Sequence, residues 1–259
     1  MFTESKRLLY TGIAWMIGPA LGLWLWEEIG HWAPLLLSAS AAAGMLYYFW
    51  YLRLGHSEVI KKARRPSVNI LKIIPRYFAQ PSLRIAYLIT LSRAIFWMTV
   101  FIYGPIYVVE SGLSNWVAGV FLSIVSSLLI ISPLIRRIAG RYGTRLVIIC
   151  ALWFTGVAMV ALYLIGEPKP IGLLFWVLAS LGGAVVDVLG NIPFMRLVKS
   201  RERTEMTMIF STWREGSQLL TPLLVSMILL VAPFEVFYLV LATLLLIAGS
   251  FATFLPRRL

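Results

Sequence analysis

Eight runs of predominantly apolar residues, each long enough for one membrane crossing, occupy most of this chain: 8–26, 33–52, 85–109, 116–135, 146–165, 171–190, 206–232 and 234–255. A helix rises 1.5 Å per residue, so about 20 residues cover a hydrocarbon core of about 30 Å. Membrane-spanning strands would instead show alternating segments of about ten residues. The runs therefore predict an all-α, polytopic membrane protein with eight transmembrane helices. Composition agrees: 60% of the 259 residues are hydrophobic and 13% are charged, too little polar surface for a water-facing fold. The first run has full span length and no small-x-small cleavage site, so it reads as a span and not as a signal peptide.

The net charge of +12 would in a soluble chain suggest nucleic acid, but its placement points to topology. Lys6 and Arg7, the eight cations between Arg53 and Arg84, then Arg136, Arg137, Arg141, Arg145, Arg196, Lys199, Arg201, Arg203, Arg257 and Arg258 all fall on one side of an eight-span arrangement. The opposite loops carry Lys169, while Arg93 and Arg214 lie within runs. The positive-inside rule then puts both termini in the cytoplasm, as for a plasma or inner membrane protein. Nothing calls for nucleic acid. The acids Glu27, Glu28, Glu110, Glu167 and Glu235 sit at the outer turns.

No Cys/His cluster, phosphate loop, GxSxG turn or dinucleotide fingerprint occurs, so neither a metal, a cofactor nor enzyme chemistry is expected. Cys150 stands alone, and His31 and His56 read as interfacial loop residues. The aromatic residues Trp24, Trp26, Trp32, Tyr47, Tyr48, Trp50 and Tyr51 cluster near span ends, as in an interfacial belt. The long connection 53–84 alternates basic and apolar residues over 59–78, and fits either a helix on the inner membrane surface or a solvated linker.

Ionisable residues within a span cost at least about 2.5–3.5 kcal/mol at the centre and by default face a cavity or a partner. Arg93 lies roughly 12 Å into the third run. With Trp97, Val100 and Gly104 it forms one helical face, and it either faces a cavity or snorkels to the inner headgroups. Arg214 and Glu215 enter the seventh run together, followed by Gln218. Asp187, with Gly183, Gly190 and Asn191, forms a polar stripe on the sixth run and is a candidate partner for Arg214, as a structural bridge or in transport. Coupled protons would have to ride on Asp187 or Glu215, because arginine does not release its proton.

Three motifs carry a resemblance. The first run reads Gly12-Ile-Ala-Trp-Met-Ile-Gly-Pro-Ala-Leu-Gly22, with Ala14, Gly18 and Gly22 at four-residue intervals beside Pro19, a pattern for close helix approach. After the fourth run comes Arg137-Ile-Ala-Gly-Arg-Tyr-Gly-Thr-Arg145, and the seventh run holds Phe210-Ser-Thr-Trp-Arg-Glu-Gly-Ser-Gln-Leu-Leu-Thr-Pro222. The chain resembles a major facilitator superfamily (MFS) transporter over the last eight of its twelve helices. Ala14 and Leu23 replace glycines of the exporter-associated fifth span, and Gly140 replaces the Asp of the family's basic loop.

That resemblance implies a particular organisation. Residues 1–52 would be the last two helices of the amino-terminal half, 53–84 the central cytoplasmic loop, and 85–259 a six-helix carboxyl-terminal half, with the first four spans missing. It implies secondary transport of a small molecule, with protons as a candidate coupling ion in efflux. Arg93, Trp97, Asp187, Asn191, Arg214, Glu215 and Gln218 would line the pathway. Ala14, Gly18, Pro19, Gly22, Gly140, Arg141, Gly143 and Arg145 would be conformational motifs. The alternative is a non-transporting membrane protein, a degenerate relative or an assembly partner. Its partners would be the lipid bilayer and another polypeptide supplying the missing helices.

Overall fold

The computed structural model describes residues 2–52 and 70–256. Among the described residues the chain is helical throughout, without strands. Its helices are α1 (Phe2–Glu28), α2 (Ala33–Tyr51), α3 (Ile70–Phe78), α4 (Pro81–Glu110), α5 (Asn115–Ser127), α6 (Ser132–Tyr142), α7 (Thr144–Ile165), α8 (Gly172–Leu189), α9 (Ile192–Leu197), α10 (Arg203–Phe210), α11 (Trp213–Leu229) and α12 (Glu235–Ala252).

Six stretches among the described residues are long and apolar enough to cross a membrane: Ala33–Tyr51, Pro81–Glu110, Asn115–Tyr142, Thr144–Ile165, Gly172–Leu197 and Glu235–Ala252. Each falls on one of the eight runs. Of the other two runs, the first forms α1. The seventh is divided at Ser211 and Thr212 into α10 and α11, and the 17 residues of α11 rise only about 26 Å.

The fourth run is also irregular, with a 3-10 turn at Leu128–Ile131 between α5 and α6. The basic motif after it is not a loop. Arg137 to Tyr142 complete α6, and Gly143 alone turns the chain into α7. Its φ of +92° is open to glycine and costly for a residue with a Cβ.

The main core lies among α4, α5, α7, α8 and α12, where α7 packs on α8 and α12 and α4 packs on α5, α8 and α12. Trp176, Tyr107, Tyr238 and Phe121 interlock edge-to-face there, and the Tyr107 hydroxyl donates to the Lys169 carbonyl at 3.0 Å, tying the α7–α8 turn to α4. Helix α1 packs on α5, and α2 is held by α1 and is almost wholly exposed.

A second, smaller core gathers Ile73 and Tyr77 of α3 with Leu83, Phe194, Met206 and Phe210. The expected surface helix over 59–78 is thus helical from Ile70, with its apolar side docked on protein, while 59–69 lies outside the described residues. Arg76 pairs with Glu202 at 2.6 Å and reaches Glu205 at 3.9 Å on the exposed side of this contact.

In the first run close approach occurs at Gly12, whose Cβ position lies 3.4 Å from Leu129 Cβ, and not along the stripe of Ala14, Gly18 and Gly22. Nothing lies within 4 Å of a Cβ built on Gly18 or Gly22, and Ala14 is exposed. The α1–α5 contact forms instead at Gly119, whose Cβ position lies 3.5 Å from the Pro19 carbonyl oxygen. At Gly183 a Cβ would collide with the Phe96 ring, so this glycine sets the α4–α8 separation. Gly183→Ala is therefore expected to cost about 1–3 kcal/mol as an overpacked contact. Gly140→Ala, with open space around it, is expected to be neutral or stabilising by about 0.5–1 kcal/mol as a helix substitution. Thermal unfolding in detergent distinguishes the two.

Candidate functional site

Helices α4, α8 and α11 meet at Arg93. Its side chain is buried, with 5% exposure, and its position about 13 Å along the helix from exposed Arg84 leaves it well inside the bundle. Nη1 donates to Asp187 Oδ1 at 2.9 Å and to the Asp187 carbonyl at 3.4 Å. The Asp187 side chain is 28% exposed, so the pair has one sealed and one accessible member. The guanidinium also stacks over the Trp213 ring, with Cζ 4.7 Å from its centroid. A weakly hydrated planar cation suits such a site better than an ammonium would.

The sequence places these groups through local irregularity. Asp187 lies in the last turn of α8, before the chain re-enters helix at α9. Trp213 opens α11 after the interruption at Ser211 and Thr212. The hydroxyls there bond back to the preceding turn, Ser211 Oγ to the Met208 carbonyl at 3.1 Å and Thr212 Oγ1 to the Ile209 carbonyl at 2.7 Å. Thr212 Oγ1 also lies 3.0 Å from the Tyr87 hydroxyl, which pins the interruption to α4. Such local bonding replaces the backbone partners that a broken helix loses.

Trp97 stands one turn beyond Arg93 on α4 and stacks on Phe101, which in turn meets Trp15 of α1. Arg93 Nε and Trp97 Nε1 are buried donors without a hydrogen-bond partner among the described residues. Val100 and Gly104 continue this face as expected, Val100 fully buried and Gly104 against Phe121.

The structure brings Arg93, Asp187 and Trp97 to one place, with Arg214 beside them at the Trp213 ring. Asp187 pairs with Arg93 and not with Arg214, so the expected Asp187–Arg214 bridge does not form. Arg214 is exposed and lies over the other partner of Arg93, the Trp213 ring, at 5.5 Å. Glu215, Gln218 and Asn191 are exposed, and their side chains bond to none of the described residues. Pairing also replaces the snorkelling alternative for Arg93. Trp213 was not anticipated. Its signal was position: an aromatic residue preceding Arg214 where two Ser/Thr residues interrupt an apolar run.

The conformational motifs divide similarly. Arg145 caps α12 by donating to the Thr253 carbonyl, a favourable place for a cation at a helix C-terminus. Arg141 lies over the Tyr142 ring at 5.6 Å, without a carboxylate partner among the described residues. Cys150 is exposed on α7, and no group of three metal-ligating side chains occurs among the described residues.

Comparison with known proteins places no relative beside this chain: no family model matches the sequence, and no curated protein matches it.

Removing one member of a buried ion pair leaves the other uncompensated and costs about 3–5 kcal/mol, whereas replacing both by apolar residues is often near neutral. Arg93→Met and Asp187→Leu are therefore each expected to destabilise the protein strongly, and the double variant to recover most of that loss. A double-mutant cycle of unfolding free energies in detergent measures the coupling.

Proposed function

We propose that this protein is an integral membrane protein with eight spans and cytoplasmic termini, acting as a secondary transporter of a small molecule or as part of one. The observation that carries the reading is the Arg93–Asp187 pair, sealed at the arginine and accessible at the aspartate, where three helices meet. A structural cross-brace needs no exposed member. A charge pair that opens and closes with helix motion does, and the same contact can be competed for by a solute.

Alternating access works by rocking of helical bundles about a site within the membrane. In this reading α4, α8 and α11 form one wall of that site, and the interruption at Ser211–Thr212 is its yielding element. Arg93 is the fixed cation, and Asp187 is the exchangeable counter-ion and proton carrier. Exposed Glu215 is the second acid within a span. The major facilitator resemblance supports the same arrangement, with α1 and α2 as the end of an amino-terminal half.

A second reading is that the chain is an assembly partner that moves no solute. The exposure of α2 along nearly its whole length favours it, together with the open stripe at Gly18 and Gly22.

Reconstitution into proteoliposomes with an imposed proton gradient and a panel of anionic, zwitterionic and cationic solutes tests the proposal. Transport predicts gradient-dependent flux that falls by roughly 100-fold or more in Asp187→Asn while Gln218→Ala keeps most of it, the loss expected when a required proton carrier goes. Absence of gradient-dependent flux from the intact chain supports the assembly reading.

A further inference from the structure

Helices α9 and α10 stand between two interruptions that flank the partners of Arg93. Asp187 precedes the first, at 190–191, and Trp213 directly follows the second, at Ser211–Thr212. Both interruptions are bonded to α4: Thr90 Oγ1 lies 3.5 Å from the Gly190 carbonyl, and the Tyr87 hydroxyl 3.0 Å from Thr212 Oγ1. Residues 191–211 are thus attached to the bundle at points where helical continuity is lost. Within them, the Phe194 ring of α9 stacks on the Phe210 ring of α10, with centroids 4.0 Å apart and planes within 3°.

Helix α3 grips this pair. Ala79 and Gln80 join it to α4, and its far side meets α9 and α10. Tyr77 is fully buried, with its ring 6.5 Å from that of Phe194 and its hydroxyl donating to the Leu83 carbonyl at 3.1 Å. Ile73 joins Met206, Ile209 and Phe210 in the same small core, which shares no buried residue with the main one. The ion pairs of Arg76 with Glu202 and Glu205 close the outer edge.

This contact is built to part. A helix of nine residues does not hold itself in water, so α3 is helical because it is docked. The seam is also incompletely filled: a cavity of about 200 Å³ runs along it, lined by Arg76, Gln80, Leu83, Val198, Glu202 and Met206, whereas packed interiors leave few voids larger than a water molecule. We propose that α3 is a strap that holds α9 and α10 shut beside the Arg93–Asp187 pair, and that its release lets residues 191–211 swing about the two interruptions. Linkage makes the effect mutual, since whatever opens 191–211 also loosens α3.

The test uses the full chain in nanodiscs, with Cys150→Ala so that an introduced cysteine is the sole thiol. Modification of Thr90→Cys by a water-soluble maleimide reads opening at the first interruption, and modification of Ser180→Cys, fully buried on α8, reads unfolding. Arg76→Glu is expected to speed modification at position 90 by about two- to fivefold, the scale of an exposed ion pair, with position 180 unchanged. Adding Glu202→Arg is expected to restore the slower rate, and Lys169→Glu, a charge reversal on the turn between α7 and α8, to leave it unaltered. In the unaltered chain, salt screens exposed charges, so hydrogen exchange is expected to quicken together in 70–78 and 191–211 as salt is raised. An unchanged rate at position 90 in Arg76→Glu overturns the strap, as does a rise that Glu202→Arg does not reverse, an equal rise at position 180, or salt-quickened exchange confined to 70–78. No solute is present, so failure here and failure of the transport reading are separate results.

Discussion

A backbone in hydrocarbon has no water to satisfy its N–H and C=O groups, and each unpaired group costs several kcal/mol. That constraint makes helix the economical answer for long apolar runs, and it makes every interruption conspicuous. Among the described residues such interruptions occur at the 3-10 turn Leu128–Ile131, at 190–191 between α8 and α9 and at Ser211–Thr212. The last sits beside the buried cation. Its hydroxyls bond to the Met208 and Ile209 carbonyls of the preceding turn, and Tyr87 fixes it from α4.

Arg93 meets the other demand of an apolar interior, that a charge be compensated. Asp187 supplies the opposite charge and Trp213 a polarisable face. Those two partners come from helices far apart in sequence, so one cation fixes the mutual placement of α4, α8 and α11. Gly183, where α8 comes against Phe96 of α4, provides the close approach that lets Asp187 reach. Packing and electrostatics at this point are a single arrangement, which is why the site and the fold are argued from the same residues.

What the sequence makes legible is what local pattern encodes. Long apolar runs mark the helices, because every residue of a span contributes to the signal. Gly104 and Gly183 were readable as small residues on polar or aromatic faces. The partner of Arg93 was not, because pairing across 94 positions depends on helix packing that periodicity does not contain. Arg214 and Asp187 were the plausible pair by composition alone. The break in the seventh run was hidden because Ser211 and Thr212 are compatible with helix, and the chain keeps helical backbone angles through them. The stripe Ala14, Gly18 and Gly22 shows the converse: spacing marks a smooth face, while the helix that α1 meets, α5, approaches the side bearing Pro19 and Ala20.

Asp187 is the sole aspartate of the chain, so a ¹³C label on aspartate Cγ reports one atom. Solid-state NMR of the full chain in lipid bilayers, with ¹⁵N-labelled arginine side chains, measures dipolar coupling between that carbon and a guanidinium. A contact of 2.9 Å between Arg93 Nη1 and Asp187 Oδ1 predicts strong dephasing that disappears in Arg93→Lys. Absence of dephasing, or dephasing that survives in Arg93→Lys, would contradict the pairing on which this account of the three helices rests.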